Sequence, residues 1–181
     1  MSATSPAALP GADPQQTHRR LARTAAVLGF AGLIPFYVGA AGVWMARHPF
    51  DVMAHKAQIT YGAVILAFLG AVHWGLVLRM PYGVPRLMLV WGVVPPLVGW
   101  AALAFSAPLS HAIMMLGFLA AFAADHRAAL SGLTPPWYGR LRLVLTTLVL
   151  LALALSGLRF MAYPLFDAFH LVPAASEAIA I

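Results

Sequence analysis

Cysteine is absent from the 181 residues, which removes disulfides, zinc-thiolate centres and thiol catalysis and leaves the redox compartment open. Charge is nearly as scarce. Lys, Arg, Asp and Glu together make up 9% of the chain, and only five of them are acidic. A soluble fold would need far more polar surface to cover its core. Also missing are Walker and dinucleotide-binding glycine patterns, a histidine four residues from another histidine, a carboxylate cluster, and a placed Ser, His and acid set. What is abundant is apolar: hydrophobic residues reach 62% and mean hydropathy is +0.85. A lipid bilayer is the natural solvent for such a chain. The net charge of +6 does not point to nucleic acid, because the Lys and Arg residues lie between apolar runs and form no stripe on one element.

The uncharged runs are long enough to count. Thr24 to Ala46 and Ala57 to Leu78 carry no charge, and at about 1.5 Å per helical residue each can cross a hydrocarbon layer of about 30 Å. Leu87 to Ala124 also lacks Asp, Glu, Lys and Arg, but Ser106-Ala-Pro-Leu-Ser110 in its middle reads as a turn. That divides it into spans 87–105 and 109–124. The last run, within 141–158, is short, and Arg142 and Arg159 are expected to extend their charged heads to the two interfaces. The expected fold is therefore all-α: a polytopic membrane bundle of five transmembrane helices. Residues 1–23 read as a disordered basic tail with no apolar periodicity. The apolar run after Arg23 is too long for a cleaved signal peptide, although His18, Arg19, Arg20 and Arg23 are compatible with a mitochondrial presequence. Residues 159–181 read as an interfacial segment interrupted by Pro164. Asp51 and His55 read as a solvated turn.

Basic residues set the orientation, since Lys and Arg near span ends stay in the cytoplasm. Arg19, Arg20, Arg23, Arg79, Arg86, Arg127, Arg140 and Arg142 fall on one side of the expected bundle, and Arg47, Lys56 and Arg159 on the other. The asymmetry puts the N-terminus in and the C-terminus out.

A few polar and backbone features inside the spans need explaining. Ala63, Ala67, Ala71 and Gly75 share one face of the second span and form a candidate packing seam. In the fourth span Gly117 and Ala121 repeat the device, with Asp125 next on the same face. Asp125 either points into the bundle or sits in the headgroups. His73 lies roughly 9 Å below the end of the second span, inside the apolar layer and toward the same leaflet. It either pairs with Asp125 or is satisfied as a neutral ring by a backbone carbonyl or hydroxyl. Haem ligation needs two histidines at one depth, and His73 and His111 start from opposite ends of their spans. Pro35, Pro95 and Pro96 remove amide donors and should kink their helices, lining a cavity or serving packing. No cofactor is expected.

Several stretches together resemble one family. They are Gly32-Leu-Ile-Pro35-Phe36, the block Tyr61-Gly-Ala-Val-Ile-Leu-Ala-Phe-Leu-Gly-Ala-Val-His73-Trp74-Gly75, Trp91 with Val94-Pro95, and Ala124-Asp125. They resemble domain of unknown function 3429, and the resemblance runs from about Leu28 to Leu158. It implies a small multi-spanning protein of a bacterial inner membrane, the more strongly indicated setting, or of its mitochondrial counterpart. It carries over no catalytic or cofactor residue. The long polar N-terminal tail departs from the family pattern. The leading expectation is a non-enzymatic structural, assembly or accessory component whose partners are the lipid bilayer and other membrane proteins. The alternatives are a small transporter or proton-coupled carrier using His73, and an interfacial lipid-acting enzyme using His73 and Asp125.

Overall fold

The computed structural model describes residues 14–79 and 86–170, with side chains from 15 to 162. Among these residues there are six helices and no strand. They are α1 (Pro14–Ala31), α2 (Ile34–Met45), α3 (Phe50–Leu78), α4 (Arg86–Ala102), α5 (Leu109–Leu130) and α6 (Pro136–His170). In lipid every backbone amide must be satisfied within its own segment, which is why uncharged runs of this length become helices. Four stretches are long and apolar enough to span a membrane: 15–45 (α1 and α2 together), α3, α5, and 136–162 of α6. The shorter α4 is also apolar.

The helices close into a ring. Helix α3 packs between α2 and α4, α5 packs between α4 and α6, and α6 returns to α2. Helices α3 and α5 also meet across the middle, while α1 leans on α6. The centre is apolar: Phe36, Leu66, Met114, Phe118 and Leu153 are all at most 1% exposed. Phe36 makes edge-on contacts with Tyr61 and Phe118, at ring-centroid distances of 5.2 and 5.7 Å. Where α3 meets α4, a Cβ on Gly70 would collide with the Gly92 carbonyl oxygen. One on Gly99 would lie 2.9 Å from the Ala63 Cα. Small residues here let two backbones touch, which is how helices associate without a hydrophobic drive between them.

The structure departs from several expectations, each for a physical reason. Residues 14–23 are helical rather than disordered and form the exposed start of α1; residues 1–13 lie outside the described residues. The first span is broken at Gly32-Leu33, and Pro35 occupies the first turn of α2, where its missing amide costs no helical bond. The freed Gly32 carbonyl accepts a hydrogen bond from the Tyr61 hydroxyl at 3.1 Å. Asp51 and His55 are not in a solvated turn. They lie within α3, each 7% exposed, because they share a helical face with Gln58, Ile59, Gly62 and Leu66. Of the proposed α3 seam, Ala63 packs against Gly99 of α4, while Ala67, Ala71 and Gly75 are exposed. The seam on α5 is buried, with Gly117, Ala121 and Asp125 all inward. Pro164 does not interrupt α6, whose backbone stays helical to His170. The rest of the expected interfacial segment, 171–181, lies outside the described residues.

Candidate functional site

Three helices present ionisable side chains to a shared point. His73 continues the inward face of α3, on which Leu66, Leu69 and Val77 also lie. Asp125 follows Ala121 by one turn on α5. Arg142 sits on the face of α6 that carries Thr146, Val149 and Leu153. All three are buried, at 2%, 4% and 8% exposure.

Arg142 Nε donates to Asp125 Oδ2 at 2.5 Å, a charge-assisted bond joining α5 to α6. His73 faces the other carboxylate oxygen, with Nε2 3.8 Å from Oδ1. That is ion-pair range but too long for a hydrogen bond. Its Nδ1 lies 3.2 Å from the Leu69 carbonyl one turn earlier. A carbonyl only accepts, so Nδ1 carries the proton and Nε2 is the nitrogen turned toward the acid. Both expected partners of His73 are thus present, the backbone carbonyl at bonding distance and the carboxylate slightly beyond it. His73 Nε2 and Arg142 Nη2 have no hydrogen-bond partner within the protein.

Asp125 therefore points into the bundle, and α5 continues past it to Leu130. Arg142 does not reach for an interface as expected, because α6 begins at Pro136, leaving Arg142 more than a turn inside the helix and opposite an acid. Arg159 lies over the Trp44 ring, 5.8 Å from its centroid.

The other candidate residues are placed as follows. Tyr61 ties α3 to the break before α2. Trp74 is half exposed and donates to the Leu89 carbonyl at 3.1 Å, tying α3 to α4. Pro95 and Pro96 are inside α4, where Pro95 is buried and Pro96 lies beside Gly70. Pro35 is remote from His73, being on the far side of the apolar centre with Phe36, whose carbonyl accepts from Gln58 Nε2 at 2.8 Å. So the structure gathers His73 and Asp125, adds Arg142, and leaves Pro35, Tyr61, Trp74 and the α4 prolines outside that contact.

Two cavities flank the cluster. One of about 480 Å³ is bordered by His73, Trp91, Ala124, Arg127 and Ser131. The other, about 460 Å³ and largely apolar, reaches Arg142 from between α1, α3 and α6. Arg142 and the buried pair His55 and His111 were not singled out as site residues from the sequence. The usable signal for Arg142 was an arginine followed by an uninterrupted apolar run at the same depth as Asp125.

A family model described as "Protein of unknown function (DUF3429)" matches residues 21–158. The chain belongs to this family. The matched region covers every residue of the cluster just described. Two relatives carry the name "Transmembrane protein 69": one from Xenopus tropicalis, 33% identical over 144 residues, and one from Mus musculus, 31% identical over 144 residues. Each match covers 78% of this chain, and 56% and 58% respectively of the relative. The chain thus spans little more than half the length of these relatives. No solved structure matches it. Family membership, the relatives' names and the apolar helices together make this a multi-pass membrane protein.

Proposed function

We propose that this protein is a non-enzymatic membrane component that associates with or assists other membrane proteins, in a bacterial inner membrane with its N-terminus in the cytoplasm. The observation that carries this reading is the use made of charge. Asp125 and Arg142 neutralise each other across α5 and α6, and the bundle above them is filled by Phe36, Leu66, Met114, Phe118 and Leu153. Intramembrane charges that face each other beside an apolar core hold helices in register. A scaffold needs that; a conduit needs the opposite.

Purification in mild detergent tests it. Stoichiometric co-purification of one defined membrane protein, lost when its contact face is altered, supports the reading. A monodisperse lone protein that moves protons or a solute across proteoliposomes contradicts it. One observation favours that second reading, a carrier working through His73. The ring's Nε2 is unpartnered, and the ring borders a cavity of about 480 Å³. If the carrier reading holds, His73→Gln abolishes flux while leaving the fold intact.

A further inference from the structure

A second buried polar cluster lies at the other end of the bundle, about 27 Å from His73 along α3 at helical rise. His55 on α3 and His111 on α5 face each other with ring centroids 4.8 Å apart and planes inclined by 38°. Phe160 of α6 covers both rings, at 5.2 and 6.0 Å. The rings are 7% and 2% exposed. His55 Nδ1 and both nitrogens of His111 have no hydrogen-bond partner within the protein. A buried histidine normally has at least one nitrogen bonded, because leaving it bare costs about 1–3 kcal/mol. Each neutral ring carries a proton on one nitrogen and a lone pair on the other, so the unpartnered nitrogens offer one lone pair per ring to a bound group.

From these features we infer that His55 and His111 form a binding site for a divalent first-row transition metal ion, with copper(II) bound most tightly. The ring spacing carries the argument. With metal–nitrogen bonds of about 2.0–2.1 Å and about 1.1 Å from nitrogen to ring centre, two imidazoles in adjacent positions on one ion have centroids roughly 4.5–5.2 Å apart. The observed 4.8 Å falls in that interval. Two imidazoles on opposite faces of a haem iron would be about 6.3 Å apart by the same bond lengths, so the pair does not fit haem.

Imidazole suits copper, nickel and zinc, and affinity at a nitrogen site peaks at copper(II). Among the described residues no third His, Cys, Asp or Glu joins the pair. The remaining positions would fall to neutral oxygen donors, which copper(II) accepts in a tetragonal plane. Two such groups, Gln58 Oε1 and Ser110 Oγ, are buried and unpartnered on the same two helices. A cavity of about 580 Å³ bordered by His55, Ser106 and Phe160 provides an entry path. The site is separate from the Asp125–Arg142 pair and does not depend on the reading of that pair.

The full chain, purified without a histidine tag and placed in lipid nanodiscs, is titrated with copper(II). Expected are one tight equivalent and pulsed electron paramagnetic resonance modulations from two imidazole nitrogens. His55→Gln and His111→Gln should each weaken binding at least tenfold. His18→Gln and His48→Gln, at exposed histidines, should not. Nickel(II) and zinc(II) should bind more weakly in the same order of variants. Wild-type modulations from fewer than two imidazoles would overturn the proposal without recourse to any variant. So would a His55→Gln/His111→Gln double variant that keeps wild-type affinity.

Discussion

Replacing Arg142 by Met removes the guanidinium bonded to Asp125 and leaves the carboxylate 4% exposed, with only the His73 ring 3.8 Å away on its other side. Breaking a buried pair from one side costs about 3–5 kcal/mol, because the surviving charge keeps its desolvation cost and loses its counter-charge. Asp125→Leu should cost a similar amount by stranding Arg142. Removing both charges removes both desolvation costs, so Asp125→Leu/Arg142→Met should lie within about 1 kcal/mol of the wild type. Simple addition of the single effects would instead give about 6–10 kcal/mol. Unfolding free energies in bicelles, measured by steric trapping, give all four corners of the cycle. Arg140→Gln, at an exposed arginine two residues away, serves as the control and should change stability by less than about 0.5 kcal/mol. The reasoning fails if the single replacements are neutral, or if their effects add in the double variant.

Other substitutions test the packing directly. Gly70→Ala should sharply destabilise the bundle, since the new methyl meets the Gly92 backbone, whereas Gly75→Ala, with nothing within 4 Å, should leave thermal stability unchanged. Tyr61→Phe keeps the ring against Phe36 but drops the bond to the Gly32 carbonyl, and should cost about 1 kcal/mol in the same steric-trapping assay. Trp44→Phe loses the bond from Nε1 to the Leu155 carbonyl, which ties α2 to α6. A comparable loss is expected, visible as faster cross-linking of cysteines introduced on α1 and α2 to lipid-borne reagents.

The helical class was legible because uncharged runs separated by Arg, Pro and Ser clusters leave few other ways to satisfy a backbone in lipid. A break around Pro108 was legible on the same ground and separates α4 from α5, but it runs over residues 103–108, and Leu109 and Ser110 of the expected turn already belong to α5. Helix ends were not. Asp51, His55, Asp125 and Arg142 all carry polarity that reads as a boundary, yet each lies within a helix and faces inward. A linear sequence shows that an ionisable residue is near a span end but not which way it points. Direction depends on the partner helix, and Asp125 and Arg142 are 17 residues apart on different helices. The pairing of His73 with Asp125 was within reach because both lie on inward faces at one end of parallel-running helices. His55 with His111 was missed for the opposite reason: α3 starts seven residues earlier than the uncharged run, which places His55 inside the bundle and opposite His111.

Magic-angle-spinning NMR on the protein in lipid bilayers can measure where the Arg142 guanidinium sits. Nitrogen labels on arginine, assigned by difference against Arg142→Lys, report distances both to the Asp125 carboxyl carbon and to lipid phosphorus. A guanidinium nitrogen within about 4 Å of that carboxyl, with no dephasing from phosphorus, is the predicted result. Close approach of Arg142 to phosphate, with no coupling to Asp125, would mean that the charge lies at the surface and that this bundle is held together by something else.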